Sequence, residues 1–106
     1  MKDIEISSGN VYADLGVPQS GEMLIKAQLA AKIGEIIKSK RMTQQTAAAI
    51  IGVPQSKLSG MLRGQFRGIS EAKMIECLTR LGRDVKVVIG RPKRSNAPGQ
   101  MAVVFA

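Results

Sequence analysis

Along the chain, apolar side chains recur first with a helical period and then with a period of two. Ile25, Leu29, Ile33, Ile36 and Ile37, with Ala30 beside them, fall on one side at about 100° per residue, and Gln28, Lys32, Glu35 and Lys38 fall opposite. This predicts an amphipathic helix over about Gly21 to Lys40. Lys38, Lys40 and Arg41 lie near its C-terminal end, where the macrodipole favours cations. Thr43 offers an N-cap oxygen for a second helix, Gln44 to Ile51, which Gly52 ends. A third helix is expected over about Pro54 to Arg63. A fourth, capped by Ser70 with Glu71 in its first turn, runs to about Leu81, with Met74, Ile75, Leu78 and Leu81 as its apolar side. The period then becomes two: Val85, Val87 and Ile89, and after the polar, Pro-containing stretch 90–99, Met101, Val103 and Phe105. Two strands of a hairpin or ribbon are expected there, packed on the helices, paired with a second subunit, or both, because an isolated hairpin is only marginally stable.

Residues 1–20 carry no helical period. Ser7-Ser8-Gly9-Asn10 and Leu15-Gly16-Val17-Pro18 are breakers, so this stretch reads as a flexible arm. The expected organisation is an arm over 1–20, a helical domain over 21–82 and a β extension over 83–106 that can serve in dimerisation. Gly-Val-Pro-Gln-Ser occurs at 16–20 and again at 52–56, but the flanks do not match. It is one local solution used twice, before or at the opening of a helix.

Composition narrows the function. The chain has 106 residues, enough for one domain with short tails, and its net charge of +8 favours a polyanionic or acidic partner. The charge is uneven: residues 1–37 carry three bases and five acids, whereas 38–106 carry thirteen bases and three acids. A polyanion would meet the central and C-terminal parts. With no His and one Cys, a Cys/His zinc site, a His-based triad and an intramolecular disulfide are excluded, and no cofactor is expected. The start of the chain has no apolar secretion-signal core. The longest apolar stretch, Ala47 to Pro54, is far below the ~18 residues that span a bilayer, so a cytoplasmic protein with a reduced thiol is expected. Cys77 reads as an inert packing thiol.

The most informative segment runs from Thr43 to Gly64: short helix, tight turn at Gly52, second short helix. That is helix-turn-helix spacing. Ala48 lies where the helices cross closely, Gly52 permits the sharp turn, Val53 packs beneath it, and Leu58 and Met61 point inward. Gln55, Ser56, Lys57, Ser59, Gly60 and Arg63 are left on or near the other face, which is hydrogen-bonding, cationic or small and has no acid. Such a face can enter a major groove.

This segment resembles the helix-turn-helix of Cro/C1-type, or Xre-type, repressors, with Gln, Ala, Gly, Val and Leu at the family's spacing over about residues 42–64. The resemblance implies a mainly α fold: a four-to-five-helix Cro/C1-like domain, here with the C-terminal β-hairpin or ribbon. It implies a non-enzymatic, double-stranded DNA-binding protein. Carried over by position, Gln44 resembles the helix-start residue that bonds a DNA phosphate, and Gln55, Ser56 and Ser59 resemble base-reading and phosphate-contacting positions. Lys57 and Arg63 complete the expected DNA-binding set. Pro54 departs from the usual Ser, Thr or Asp cap, and Gly60 from the commoner polar residue. Over nearly the whole chain, from Ser7-Ser8-Gly9-Asn10-Val11-Tyr12-Ala13-Asp14-Leu15-Gly16 through "LTRLGRDVKVVI" to the basic tail, the sequence is similar to small Xre-type proteins of the HigA antitoxin kind. That subgroup implies a homodimer that represses its own operon and neutralises a RelE/HigB-like toxin. The alternatives are a free-standing phage-like repressor, a small basic RNase and an RNA-binding scaffold. The lack of His and the sparse acids argue against the RNase, and three scattered aromatics argue against the scaffold.

Overall fold

The computed structural model describes residues 20–94 and 96–106. Four helices follow one another: α1 (Ser20–Ser39), α2 (Gln44–Ile51), α3 (Gln55–Leu62) and α4 (Glu71–Arg80). The expected arm over 1–20 lies, apart from Ser20, outside the described residues.

The long helix α1 forms the floor of the domain. Its apolar stripe is buried along its whole length, from Ile25 through Leu29, Ala30 and Ile33 to Ile36 and Ile37. It packs against α4 and α3, while α2 packs against α3 and α4. Ala47, Ala48 and Ile51 of α2, Leu58 and Met61 of α3, and Met74, Cys77, Leu78 and Leu81 of and just after α4 meet it in a single core. Phe66 and Ile69 close that core from the connection between α3 and α4. Burial pushes the Cys77 thiol up from its ordinary pKa, as an inert packing thiol requires.

Local chemistry ends each helix. Thr43 Oγ1 accepts the Thr46 N–H at 3.0 Å, and Ser70 Oγ accepts the Lys73 N–H at 3.1 Å, so both expected N-caps form. At the C-termini, paired backbone bonds close the chain on itself: Arg41 N–H to Lys38 and Met42 N–H to Ile37 after α1, Gly64 to Met61 and Gln65 to Gly60 after α3, Gly82 to Thr79 and Arg83 to Leu78 after α4. This is the Schellman arrangement, which places one residue in the left-handed region. After α3 and α4 that residue is glycine, but after α1 it is Arg41, at φ +55°. Lys40 Nζ donates to the Leu81 carbonyl at 2.9 Å and ties this turn to the end of α4.

Among the described residues no strand forms, so the expected C-terminal hairpin or ribbon is not present in the single chain. Asp84, Lys86, Val88, Val104 and Ala106 do line one open cleft of about 480 Å³. No backbone ladder crosses it. The physical reason lies in the connection. A tight two-residue turn fixes strand register, whereas the stretch 90–99 holds Pro92 and Pro98, which donate no backbone N–H. The tail is nevertheless attached to the helices. Val103 packs against the core, and the Phe105 ring lies under Lys32 Nζ, 4.9 Å from its centroid. None of the helices among the described residues is long and apolar enough to cross a membrane.

Candidate nucleic-acid interface

The interface is built from α2, the turn and α3. Gly52 makes the turn possible: its φ of +84° is left-handed, and its N–H and that of Val53 both return to the Ala48 carbonyl, at 2.8 and 3.1 Å. Ala47 and Ala48 are buried where a longer side chain would push α3 away. Leu58 and Met61 anchor α3 from beneath, and Val53 is half-buried under the turn.

The structure places Pro54 at the N-cap of α3, with φ −61° and ψ 145°, and not within the helix. It supplies no side-chain cap, but its carbonyl accepts the Lys57 and Leu58 N–H groups at 3.0 and 3.1 Å. The helix therefore begins at Gln55, one residue later than expected, because a Pro ring fixes φ but carries no capping oxygen.

Gln55, Ser56 and Lys57 are exposed, Ser59 is half-buried, and Arg63 is exposed at the C-cap. At about 100° per residue, Gln55, Ser56, Ser59 and Arg63 share one stripe, and Lys57 falls on the flank beyond it. Arg63 Nη1 donates to Ser59 Oγ at 2.9 Å, which holds the guanidinium back along the stripe. Gln44 is exposed at the first position of α2. Of the six expected residues, four are thus gathered on one stripe of α3, Lys57 stands beside it, and Gln44 comes from the other helix.

Gly60 corrects the sequence reading. It is buried and does not belong to the outward face. The Gln65 side chain lies over it: a Cβ at position 60 would stand 3.1 Å from Gln65 Oε1. Glycine here makes room for the chain returning from α3.

A second residue escaped the sequence reading. Lys26 is buried, 3% exposed, with its amine 3.1 Å from the Arg67 carbonyl and 3.3 Å from the Glu22 carboxylate. It fastens the 64–68 loop, which follows α3, to α1. The signal was available: Lys26 stands on the stripe of Ala30, Ile33 and Ile37 at i+4, i+7 and i+11.

Electrostatically the region is one-signed. Between Glu35 and Glu71 there is no acidic residue, while Lys38, Lys40, Arg41, Lys57, Arg63 and Arg67 lie in that interval. Three acids on the helices are paired in place: Glu22 with Lys26 at 3.3 Å, Glu35 with Lys32 at 2.7 Å, and Glu76 with Arg80 at 3.0 Å and Lys73 at 3.5 Å.

The sequence matches the helix-turn-helix domain family over residues 11–90. The chain is also similar to a solved structure described as an XRE-family transcriptional regulator, with 33% identity, a TM-score of 0.72, and coverage of 80% of this chain and 96% of that one. The chain belongs to the XRE family of helix-turn-helix regulators. No curated protein matches the sequence. Membership makes this XRE-family protein a DNA-binding transcriptional regulator, a class in which the second helix of the motif commonly enters the major groove. The hydrogen-bonding stripe, the flanking Lys57 and the acid-free stretch are the parts such a helix needs: groups to read base edges, cations for phosphates, and no like charge to repel the duplex.

Proposed function

We propose that this XRE-family protein is a sequence-specific operator-binding repressor that acts as a homodimer on a palindromic site. The observation that carries this reading is the Gln55–Ser56–Ser59–Arg63 stripe on α3, seated by a buried Ala47–Ala48–Ile51–Leu58–Met61 contact and bordered by no acid. Gln55 reads a base edge, Gln bonding adenine N6 and N7 in one plane. Gln44, Ser56, Lys57, Ser59 and Arg63 serve phosphate or base contacts. One small helix-turn-helix has limited contact area, and two-fold pairing sets recognition helices about 34 Å apart, one turn of duplex. The test is binding-site selection on random DNA with the wild type and Gln55→Ala. The substitution is expected to cost about 1–3 kcal/mol on the selected site and to relax preference at one base pair. Unchanged preference would remove Gln55 from the reader's role.

We further propose that the operator is that of a type II toxin-antitoxin pair, in which this chain is the HigA-type antitoxin and neutralises a RelE/HigB-like toxin. The sequence resemblance supports this, as does an N-terminal stretch whose Asp3, Glu5 and Asp14 are interspersed with Ile4, Ile6, Val11, Tyr12 and Leu15, a composition suited to a basic partner. Calorimetry against the product of the adjacent reading frame tests it, with full-length protein and with protein lacking residues 1–20. Loss of affinity on truncation is expected. Equal affinity would move the toxin site to the folded residues, and absence of any toxin-like neighbour would leave a free-standing repressor.

A further inference from the structure

We infer that the stretch Gly90-Arg91-Pro92-Lys93-Arg94 is a second DNA-reading element, which enters the minor groove beside the major groove that α3 enters and prefers A·T base pairs there. The inference rests on the operator-binding reading above and adds to it a second site, a second groove and a base preference.

The first observation is charge. Three cations fall within residues 91–94, and no residue of 85–106 is acidic. Arg91, Lys93 and Arg94 are all exposed, and the reading stripe on α3 makes no use of them. Charge at this density selects a polyanion and repels a basic toxin.

The second observation is the form of the backbone, which chooses the groove. Residues 83–93 form neither helix nor turn. Pro92 fixes its own φ and holds Arg91 extended. The minor groove, about 6 Å wide, takes an extended chain and excludes a helix, which is about 10 Å across. Along A·T pairs the groove narrows further, and its stronger negative potential draws in arginine. In an extended chain Arg91 and Arg94 stand about 10 Å apart, the rise of roughly three base pairs, so both can follow one groove. Gly90 suits the same approach. The left-handed glycines are Gly52, Gly64 and Gly82, so no left-handed turn demands glycine at position 90. Without a side chain there, the backbone can come close to the groove floor.

The third is anchorage. Residues 90–94 sit on a loop held by the helical domain at both ends. Before them, the Arg83 N–H donates to the Leu78 carbonyl at 3.0 Å, and Lys40 Nζ donates to the Leu81 carbonyl at 2.9 Å. After them, Val103 packs against the core and the Phe105 ring lies under Lys32 Nζ. Such a loop has already lost part of its freedom, so seating it in a groove costs less. It also starts beside the helix-turn-helix: a Cβ at Gly52, in the turn before α3, would stand 3.6 Å from Arg80 Nη1. The chain from Arg83 to Arg91 reaches at most about 28 Å when extended. Half a turn of duplex, the step from major to minor groove, is about 17 Å.

The test uses the full chain and three duplexes. Each carries the core that the wild type selects from random DNA, flanked on both sides by A·T, inosine·C or G·C pairs. Inosine lacks the guanine N2 amine, so inosine·C shows the minor-groove face of A·T and the major-groove face of G·C. The wild type is expected to bind A·T and inosine·C flanks equally, and at least about five-fold more tightly than G·C flanks. The Arg91→Ala/Lys93→Ala/Arg94→Ala variant should bind all three alike, with a lower salt slope. Its preference for the core and its helical circular dichroism should persist. A wild type indifferent to the flanks makes the three cations plain phosphate contacts and overturns the inference, leaving the operator reading in place. So does a preference for A·T over inosine·C, which is a major-groove reading, or a flank preference that survives the triple substitution. A variant that loses affinity for duplex RNA and none for the DNA overturns it in favour of RNA. Failure of random DNA to yield any core takes down the operator reading, and this inference with it.

Discussion

The helical unit and the tail that follows it use similar apolar residues to opposite ends. Among the described residues, every side chain of the buried core comes from 25–81, and nearly all the large exposed apolar side chains come from 85–105. The difference is not in hydrophobicity but in how each segment satisfies its backbone. A helix meets its own hydrogen bonds and needs only a neighbour for one stripe. An extended segment needs a partner for its main chain before its side chains can be hidden. Among the described residues no ladder forms along the tail, and Val87, Val88 and Ile89 remain exposed.

The sharpest way to break that contrast is to empty one position on each side of it. Leu58 is fully buried between α3 and α1, and Leu58→Ala is expected to cost about 2–5 kcal/mol, lost transfer energy plus the cavity left behind. Val88→Ala removes less apolar surface from a side chain already 72% exposed. At concentrations where the chain is monomeric it is expected to move the helical melting transition by no more than about 0.5 kcal/mol. Thermal melts of both variants at low concentration check this. Comparable losses would mean that the tail is part of the core.

The same contrast explains what the sequence could and could not disclose. The helices were legible because their signals are local: the stripe of α1, Thr43 and Ser70 as caps, Gly52 after Ile51. Residues 42–64 announced the helix-turn-helix for the same reason, since Ala48, Gly52, Leu58 and Met61 each do their work within a few residues. What was misread depends on contacts between distant residues. Gly60 looked outward because nothing local says that Gln65 folds back over it. Lys26 was passed over although it stands on the apolar stripe, because its partner, the Arg67 carbonyl, is forty-one residues away. The period of two at 85–89 predicted a strand, and none forms among the described residues, because periodicity cannot supply the pairing partner that a strand needs.

Lys26 allows a smaller test within the helical unit. Lys26→Met keeps the stem's volume but removes the donor to Arg67 and the ion pair to Glu22. Orphaning a carbonyl costs about 1–3 kcal/mol, and relief from holding a buried charge offsets part of it. The expected net loss is about 1–2 kcal/mol, with faster amide exchange at Ile69, whose N–H bonds the Phe66 carbonyl in that loop. A variant more stable than wild type would show that the buried amine is a net burden retained for placing the loop. Arg41 should give an effect of the other sign. Its left-handed φ costs a side-chain-bearing residue about 1–2 kcal/mol, and glycine's extra freedom in the unfolded chain returns about half of that. Arg41→Gly is expected to stabilise by about 0.5 kcal/mol in denaturant titration, and a loss there would mean that the Arg41 side chain holds the turn.

The smallest effect is expected from acid, and its sign follows from two exposed carboxylates of the helical unit. The Lys32 hydrogen bond, then the Lys32 charge, hold Glu35 below the ordinary glutamate range, with a lesser contribution from Arg83. For Glu76 the Lys73 charge is the larger cause and the Arg80 hydrogen bond the next. A carboxylate held lower in the folded state than in the unfolded chain contributes stability above the unfolded value, about 4.3, and loses it as pH falls through the folded value. Glu35 is exposed and Glu76 reaches solvent, so salt screens both and their contribution is slight. Melting temperature is therefore expected to be flat from about pH 7 to pH 5 and to fall modestly below about pH 4.3. Raising the salt concentration should shrink that fall, as should Glu76→Gln, which cannot titrate. Both carboxylates lie on helices, and Val88 carries nothing that titrates, so Val88→Ala should leave the acid limb unchanged. An acid limb that vanished with Val88→Ala would tie the titrating pairs to the tail and erase the division between a self-sufficient helical unit and an exposed tail.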